Sequence, residues 1–376
     1  MAELNQNKDQ VKVVAFYLPQ YHAIPENDKS WGEGFTEWTN TRKAVPLFEG
    51  HYQPKTPLNE NYYCLLDPQV RQWQSDLAKK YGVWGFCYYH YWFKDGKKLL
   101  EKPAEMLLEE PGAETPFCFC WANENWARRW DGGNKEIIME QDYGEEEDWE
   151  KHFQYLARFF RDPRYITWDG RPVLVIYRPE IIPRLEEMLN FFRRRGEEEG
   201  FGGLEIMFQH PSYLHTPEYN PDFCDHYIAF EPAYTWMDPN DPWMKTKNLV
   251  KKLLGKGLSQ KVVEARHQEK TLELPDYDKT WKTILSRKFP SDKFLWGAFV
   301  NWDNTPRNKA GLAYRNWAPE KFREYFARLV KKVRSSSQAN VIFINAWNEW
   351  GEGCYLEPDE KYGYSCLEAV RDGLKG

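Results

Sequence analysis

Eight short apolar runs alternate with helix-like segments along this chain, and the alternation indicates its fold class. The runs are VKVVAFYL, VWGFCYY, PFCFCWA, PVLVIY, LEIMFQ, HYIAF, LWGAFV and VIFINAW, which begin at Val11, Val83, Pro116, Pro172, Leu204, His226, Leu295 and Val341. Near-continuous apolar runs are typical of parallel strands buried on both faces. Eight such strands, each followed by helical sequence, predict a single-domain (β/α)8 TIM barrel. A doubly wound open sheet is the alternative, but it usually has fewer strands and often a glycine-rich first turn, which is absent here.

The segments around these runs carry signals for helix ends. DPQVRQWQSDLAKKYG places Asp67 as an N-cap and Pro68 in the first turn. EEEDWEKHFQYLARFFRD has an acidic start and a largely basic end, and APEKFREYFARLVKKV, from Ala318, has the same polarity. Residues 365–374 predict a last short helix.

We expect residues 1–376 to form one catalytic domain with long βα loops. Residues 1–10 are polar and are expected to be a disordered N-terminal tail. Residues 19–67, after the first run, form a Pro- and Trp-rich loop that is expected to cover the cleft, since barrels carry their sites on such loops. Residues 232–290 form a long insertion after the sixth run, which fits a packing or oligomer element equally well.

Composition favours a carbohydrate ligand. The chain has 18 Trp, 23 Tyr and 22 Phe, yet its mean hydropathy is −0.79. Large rings in a polar chain suit a wet cleft, where sugars place C–H patches on ring faces and hydroxyls on carboxylates and amides. Any single ring is more often core packing. The net charge of −6, spread without a basic stripe, argues against a nucleic-acid partner.

Cysteine usage and hydropathy bear on the compartment. The seven cysteines are odd in number and contain no Cys-x-x-Cys pair, which fits reduced thiols better than a disulfide framework. No apolar run approaches membrane-spanning length, and the N-terminus lacks the apolar core of a signal peptide. We therefore expect a cytoplasmic protein, or a periplasmic or secreted one if a signal peptide has been removed; the oligomeric state is left open.

If the runs are barrel strands, the active groups should follow their C-terminal ends. These positions, with the first long loop, are dense in polar, ionisable and aromatic residues, whereas the N-terminal ends of the strands lack this density. This asymmetry between the two ends indicates an enzyme. The candidate substrate-binding residues are Tyr17, His22, Glu37, Trp38, His90, Tyr91, Trp121, Asn123, Glu124, Trp126, Arg128, Gln209, Glu231, Asn301, Asp303, Arg307, Trp347, Trp350 and Tyr355. A structural role is equally open for the two histidines, and a structural rim pair is the alternative for Asn123 with Glu124 and for Asp303 with Arg307.

The last run leads into NAWNEWGEGCYLEP, where Glu349 and Glu352 stand three residues apart. Side chains at this spacing point apart in a strand and share a face in a helix, so the spacing alone does not place them. A solvated loop without a functional role is the alternative, but Trp350 is a poor choice for a purely solvated loop. Gly351 and Gly353 supply backbone freedom that lets the two carboxylates converge. One protonated and one ionised carboxyl group is the pair that glycosidic bond cleavage uses.

Other chemistries find less support at these strand ends. Nothing there resembles a Ser-His-Asp set, a phosphate-binding loop or a compact metal cluster. A cation held by the histidines and carboxylates is a minority interpretation, so we expect no metal and no cofactor.

Several motifs resemble a known family. They are FYLPQYH, GFTEWTN, HYWF, CWANENWARRW, IYRP, NWDNTPR and INAWNEWGEGCYLEPD. In this order they resemble the glycoside hydrolase family 99-like group, also described as the WbsX-type domain of bacterial polysaccharide loci, over residues 13–369. Members of this group have been labelled both as hydrolases and as glycosyltransferases of polysaccharide biosynthesis.

The resemblance to the endo-α-mannosidases of family 99 implies a (β/α)8 barrel and a retaining mechanism. Their E-W-x-E pattern matches residues 349–352 here, which implies Glu352 as general acid/base and Glu349 as the base on the sugar 2-hydroxyl, through a 1,2-anhydro sugar. Gly351 stands where those relatives carry a bulkier polar residue, so mannose specificity is not carried over. We expect a glycoside hydrolase that cleaves an α-linked sugar in a complex polysaccharide.

The alternative is a glycosyltransferase of cell-surface polysaccharide biosynthesis, which would need a diphosphate site. The Asp-x-Asp sequence at Asp276 and Asp278 lies away from any predicted strand end and is interpreted as a turn or helix start. A carbohydrate-binding module without turnover is a third possibility, against which the intact Glu349 and Glu352 count.

Overall fold

Eight parallel strands close into a barrel in the computed structural model, which describes residues 2–5, 10–110, 112–128, 136–210, 223–236 and 271–376. The barrel strands are β1 (Lys12–Tyr17), β2 (Gly85–Trp92), β3 (Phe117–Trp121), β4 (Arg171–Ile176), β5 (Glu205–His210), β6 (His226–Ala229), β7 (Phe294–Phe299) and β8 (Val341–Asn345). Each strand pairs in parallel with the next, and β8 pairs with β1 through Val341 and Lys12. The predicted single-domain (β/α)8 barrel and all eight apolar runs are confirmed.

Helices lie between the strands and cover the barrel. They are α1 (Pro25–Trp31), α2 (Glu37–Lys43), α3 (Pro68–Tyr81), α4 (Lys102–Leu107), α5 (Glu146–Phe160), α6 (Leu185–Glu198), α7 (Ala233–Trp236), α8 (Tyr277–Ser286), α9 (Pro319–Arg334) and α10 (Ser365–Lys375). The Asp67 side chain accepts a hydrogen bond from the Gln69 amide at the start of α3, and Gly82 ends that helix in the left-handed region. Within the described ranges, no helix combines the length and the apolar composition that crossing a membrane requires.

The N-terminus differs from the expected disordered tail. Ala2–Glu3 pairs in parallel with Ile166–Trp168, a short strand that pairs antiparallel with the start of β4. Leu4 is buried. Residues 2–5 therefore form an ordered edge at the N-terminal side of the barrel, because the strand Ile166–Trp168 offers them an unpaired side.

The long insertion after the sixth strand is described at its two ends. Its first end contains α7, and its second contains α8, whose N-cap is Asp276. Asp276 accepts from the Lys279 amide, and Asp278 pairs with Lys321 at 2.6 Å. The Asp-x-Asp sequence is thus the start of a helix; residues 237–270 lie outside the described residues.

The loop over residues 19–67 lies across the ends of β7 and β8. The Leu58 amide donates to the Pro358 carbonyl, and Lys55 pairs with Asp303 at 2.5 Å. These contacts hold α2 above the C-terminal end of the barrel, where its first residue, Glu37, contacts Arg307.

Candidate active site

Glu349 and Glu352 lie on a tight hairpin that follows β8. Asn348–Glu349 pairs antiparallel with Cys354–Tyr355, and a single 3-10 turn over Trp350–Glu352 connects the two. Gly353 completes the turn with φ near +58°. The chain therefore reverses between the two glutamates, which removes the ambiguity that the spacing alone leaves open.

Both carboxylates converge on one arginine, which also binds a third. Arg307 donates from Nε to Glu37 Oε1 at 2.9 Å, from Nη1 to Glu352 Oε1 at 2.5 Å and from Nη2 to Glu349 Oε2 at 3.1 Å. The Glu37 side chain is fully buried, while Glu352 is 23% exposed and Glu349 is 9% exposed. Glu352 is thus the most accessible carboxylate of the three.

Gly351 is required by packing. Its φ lies outside the left-handed region, so the backbone freedom expected from the sequence is needed at Gly353 only. A Cβ on Gly351 would overlap Glu37 Oε1 and lie 2.8 Å from Glu37 Cδ and 2.9 Å from Arg307 Nε. The bare backbone at this position lets the Glu37–Arg307 pair lie directly against the hairpin that carries Glu349 and Glu352.

The charges in this cluster favour a retained proton. Burial raises the pKa of Glu349 above its ordinary value, the Glu352 carboxylate adds to this rise, and Arg307 opposes it. Burial also raises the pKa of Glu352, again against Arg307. Because one guanidinium faces three carboxylates, two negative charges would be unbalanced if all three were ionised. The Glu349/Glu352 pair can therefore hold one proton near neutrality, which leaves one acid and one base.

The pair opens into a cavity of about 390 Å³ at the C-terminal end of the barrel. Its walls combine aromatic rings with carboxylates and amides. The lining residues are Leu18, Tyr89, Tyr91, Ala122, Glu124, Asn125, Trp126, Ala127, Tyr177, Phe230, Trp302, Asn304, Arg307, Asn308, Glu349 and Glu352. Six of the predicted site residues line this cavity, namely Tyr91, Glu124, Trp126, Arg307, Glu349 and Glu352.

Sequence reasoning missed several cavity residues, although they lie in or beside the quoted motifs. Tyr89 is the neighbour of His90 on β2, and Tyr177 begins the segment YRPE after β4. Tyr89 lies on β2 and Tyr177 directly follows β4, and the barrel pattern already marks the ends of both strands. Alternation along the strand is the signal that could have separated Tyr89 and Tyr91, which line the cavity, from His90 between them.

Glu124 forms one wall of the cavity with Arg178 behind it. The Arg178 guanidinium donates to Glu124 and to Glu180. Asn123 does not line the cavity: its amide donates to the Arg178 carbonyl and accepts from the Arg178 amide, both at 2.8 Å. Asn123 thus ties the end of β3 to the end of β4.

Trp350 supports the hairpin from behind. It is fully buried, stacks on Tyr355 with ring centroids 3.8 Å apart, and donates from Nε1 to Glu357 at 2.7 Å. Glu357 also accepts from Tyr63 and Gln74, and burial raises the pKa of Glu357 to about 7.

Asp303 fastens the first loop. Its carboxylate accepts from Lys55 at 2.5 Å and Gln53 at 2.6 Å, and lies 3.0 Å from His51. The Lys55 ammonium holds the pKa of Asp303 well below its usual range despite burial. Asn301 is buried nearby and lines a small void with Lys55. The structure places Asp303 and Asn301 beside the loop, outside the cavity.

Most of the other predicted residues contact partners outside the cavity lining. His90 lies 3.0 Å from His152, nitrogen to nitrogen, and burial lowers the pKa of His90 to about 3. Glu231 pairs with Arg287, and Gln209 accepts from Cys120. Tyr17 donates to Gln74, and Tyr355 donates to Asp359. Trp121 donates to the Trp92 carbonyl, and Trp38 donates to the Tyr63 carbonyl.

Three predicted residues remain. His22 and Trp347 are buried outside the cavity lining, and burial lowers the pKa of His22 to about 4. Arg128 ends the short strand Trp126–Arg128, and its side chain lies outside the described residues. The structure thus gathers the glutamates, Arg307, Tyr91, Trp126 and Glu124 around one cavity, and Glu37 reaches it through Arg307.

Solved structures share this fold at low sequence identity. A family GH99 endo-alpha-mannosidase from Bacteroides thetaiotaomicron is 15% identical, with a TM-score of 0.56 and 96% of each chain covered. A glycoside hydrolase-like protein is 12% identical, with a TM-score of 0.54, over 97% of this chain and 94% of that one. These likenesses show the barrel fold.

Sequence comparison gives nearer relatives. The uncharacterized protein WxcX is 37% identical over 368 residues in each of two strains of Xanthomonas campestris pv. campestris. The alignment covers 96% of this chain and 49% of WxcX, so the chain spans about half the length of these relatives. A family model described as Glycosyltransferase WbsX matches residues 13–370. The chain therefore belongs to the WbsX family.

Proposed function

We propose that this protein is a glycoside hydrolase that cleaves an α-linked sugar in a complex polysaccharide. The observation that carries the proposal is the Glu349/Glu352 pair on Arg307, at the base of a cavity with aromatic walls. A carboxyl pair that retains one proton supplies both the acid and the base of glycosidic bond cleavage. The aromatic walls suit the C–H faces of sugar rings.

In the proposed reaction, Glu352 protonates the departing glycosidic oxygen while Glu349 takes the proton of the sugar 2-hydroxyl. The 2-oxygen bonds to the anomeric carbon as the bond to the leaving group breaks, which forms a 1,2-anhydro sugar. Water, deprotonated by Glu352, then attacks the anomeric carbon as its bond to the 2-oxygen breaks, and Glu349 returns a proton to the 2-oxygen. Two inversions at the anomeric carbon give net retention.

The greater exposure of Glu352 supports this division of roles. An acid that meets the leaving group must reach the aglycone side, and Glu352 is 23% exposed compared with 9% for Glu349. Glu349 lies deeper and is suited to a hydroxyl of the bound ring. Arg307 holds both carboxylates, so each keeps its orientation through both steps.

A glycosyltransferase of cell-surface polysaccharide biosynthesis is the second candidate, favoured by the family description. A nucleotide-sugar donor needs cations or a helix N-terminus for its diphosphate. Among the described cavity residues, the charged groups are Glu124, Glu349, Glu352 and Arg307, and the arginine already binds three carboxylates. Asp276 and Asp278 bind the start of α8 and Lys321. These observations support hydrolysis over transfer.

A substrate screen tests the proposal. Aryl α-glycosides and plant or bacterial polysaccharides are incubated with the wild type, with Glu352→Gln and with Glu33→Gln, which removes an exposed glutamate from the first loop. We expect the wild type and Glu33→Gln to release product from at least one substrate and Glu352→Gln to release none. A thermal-shift series with nucleotide sugars runs in parallel. Stabilisation by a nucleotide sugar, with no hydrolysis of any glycoside, would favour the transferase.

A further inference from the structure

Glu37 is a buried carboxylate next to the catalytic pair that does not line the cavity. It begins α2 on the first loop, and its side chain is fully buried. Its Oε1 accepts from Arg307 Nε at 2.9 Å, and its Oε2 has no hydrogen-bond partner. An ionised carboxylate with one unsatisfied oxygen is costly to bury, so its presence calls for a reason beyond packing.

Arg307 is oriented from behind by Glu37. The contact at Nε holds the guanidinium so that its two other nitrogens face Glu349 and Glu352. Gly351 supplies the space for this arrangement, since a Cβ there would overlap Glu37 Oε1. One point of contact thus joins Glu37 of the first loop, Arg307 of the segment after β7 and Gly351 of the hairpin after β8.

We propose that Glu37 is a positioning residue that holds Arg307 between the catalytic carboxylates and, through its negative charge, keeps one proton on that pair. Without this third carboxylate, a whole guanidinium charge would face Glu349 and Glu352 and would favour loss of their shared proton. The inference deepens the proposed hydrolase, because the acid that it preserves is the one that the reaction uses.

Four further titratable groups among the described residues face the pair and carry no charge at neutral pH. They are tyrosines from three elements: Tyr21 on the first loop, Tyr89 and Tyr91 on β2, and Tyr177 after β4. Burial raises the pKa of each tyrosine above its ordinary value, so these phenols stay neutral. Glu124, on another wall of the cavity, is paired with Arg178 behind it. Among the described residues, Glu37 and Arg307 are therefore the charges that set the protonation of the pair.

Glu37→Gln separates this role from a structural one. The amide oxygen can still accept from Arg307 Nε, so the shape of the cluster is kept while one negative charge is lost. Because Glu37 raises the pKa of both catalytic carboxylates, its neutralisation lowers those values. The expected shift is about one pH unit or more, the size caused by one nearby charge.

The first measurement needs no substrate: the melting temperature is recorded against pH. A carboxyl group whose pKa is raised by folding contributes stability that is complete below its unfolded pKa and is lost as pH rises through the folded pKa. In Glu37→Gln this loss should end at a lower pH than in the wild type, while Glu33→Gln should follow the wild type. Superimposable profiles for Glu37→Gln and the wild type would overturn the proposal, whatever the enzyme hydrolyses.

The second measurement is the pH dependence of hydrolysis on a substrate found by the screen. An acid that must be protonated loses activity as pH rises through its pKa, so the alkaline limb of kcat/KM should move to lower pH in Glu37→Gln. KM should change less than about twofold, since Glu37 does not line the cavity. Glu37→Asp, which retains the charge, should keep the alkaline limb within a few tenths of a unit of the wild type. An alkaline limb that moves equally in Glu37→Gln and Glu37→Asp would contradict the role of the Glu37 charge.

Gly351→Ala provides a test if Glu37→Gln fails to fold. The new methyl group displaces the Glu37 carboxylate, so the melting temperature should fall in the wild-type background and much less in Glu37→Ala, which frees the space. Equal losses in both backgrounds would show that Gly351 does not accommodate Glu37 and would overturn the geometric part of the proposal.

Discussion

At the scale of single residues, the site depends on contacts between residues that are far apart in sequence. Gly351 is a glycine because Glu37, in the first loop, occupies the place of its side chain. The sequence indicates that the two glutamates matter, because residue type, spacing and resemblance all point to them. It does not indicate that Arg307 joins them to Glu37, because that contact arises from three loops that only the closed barrel brings together.

Trp350 illustrates the same dependence and leads to a prediction. In Trp350→Phe, the stacked ring on Tyr355 is largely kept, while the hydrogen bond to Glu357 is lost. The buried Glu357 carboxylate keeps its contacts from Tyr63 and Gln74 but loses this donor. We expect the free energy of unfolding to fall by about 1–3 kcal/mol, the cost of an unsatisfied buried partner. Denaturant unfolding at pH 7.5 measures this, and an unchanged stability would show that the bond contributes nothing.

At the scale of elements, structure that follows from a local sequence pattern can be predicted. Structure that depends on contacts between distant parts of the chain cannot. The eight strands and the helix capped by Asp67 follow from apolar runs and end signals, which are local. Ala2–Glu3 is a strand only because it pairs with Ile166–Trp168, and no local signal marks it. The sequence predicts that the first loop covers the cleft, but it does not indicate the anchor at Asp303, because Lys55 and Asp303 meet only in the folded chain.

The fastening of the first loop leads to a second prediction. Lys55→Met leaves the buried Asp303 charge without its closest cation. Breaking a buried ion pair in this way costs roughly 3–5 kcal/mol. A carboxyl group with a lowered pKa contributes stability above its unfolded pKa that is lost as pH falls, so the difference from the wild type should be largest near neutrality and shrink toward pH 3.

Thermal unfolding across pH checks this prediction. Lys79→Met, which removes an exposed lysine paired with Glu114, serves as the matched control and should unfold close to the wild type at every pH. A Lys55→Met deficit that is independent of pH would contradict the account of Asp303.

At the scale of the whole molecule, the barrel places one dense rim of polar and aromatic residues at the C-terminal ends of its strands. The cavity lies at this end, with the Glu349/Glu352 pair after β8 and its walls from the ends of β2, β3 and β4. Fold class and rim could be predicted because they follow from strand order, whereas the division of rim residues between cavity and core depends on how each side chain packs.

The whole arrangement also predicts the stereochemical outcome. Two successive displacements at the anomeric carbon should release the sugar with its original configuration. Proton NMR of the first product formed from a cleaved α-glycoside reports this before mutarotation. An inverted first product would exclude the route through the 2-hydroxyl.

The pair itself is tested most directly by kcat/KM for Glu349→Gln and Glu352→Gln on the same substrate, with the melting temperature measured alongside. Each amide keeps the shape and removes the proton chemistry, so we expect each to lose on the order of 10²–10⁴-fold in rate. The melting temperature at pH 7.5 should not fall, because each amide removes a carboxyl group whose pKa is raised by folding. Wild-type kcat/KM in either folded variant would contradict the central claim that Glu349 and Glu352, both held by Arg307, act together on the substrate.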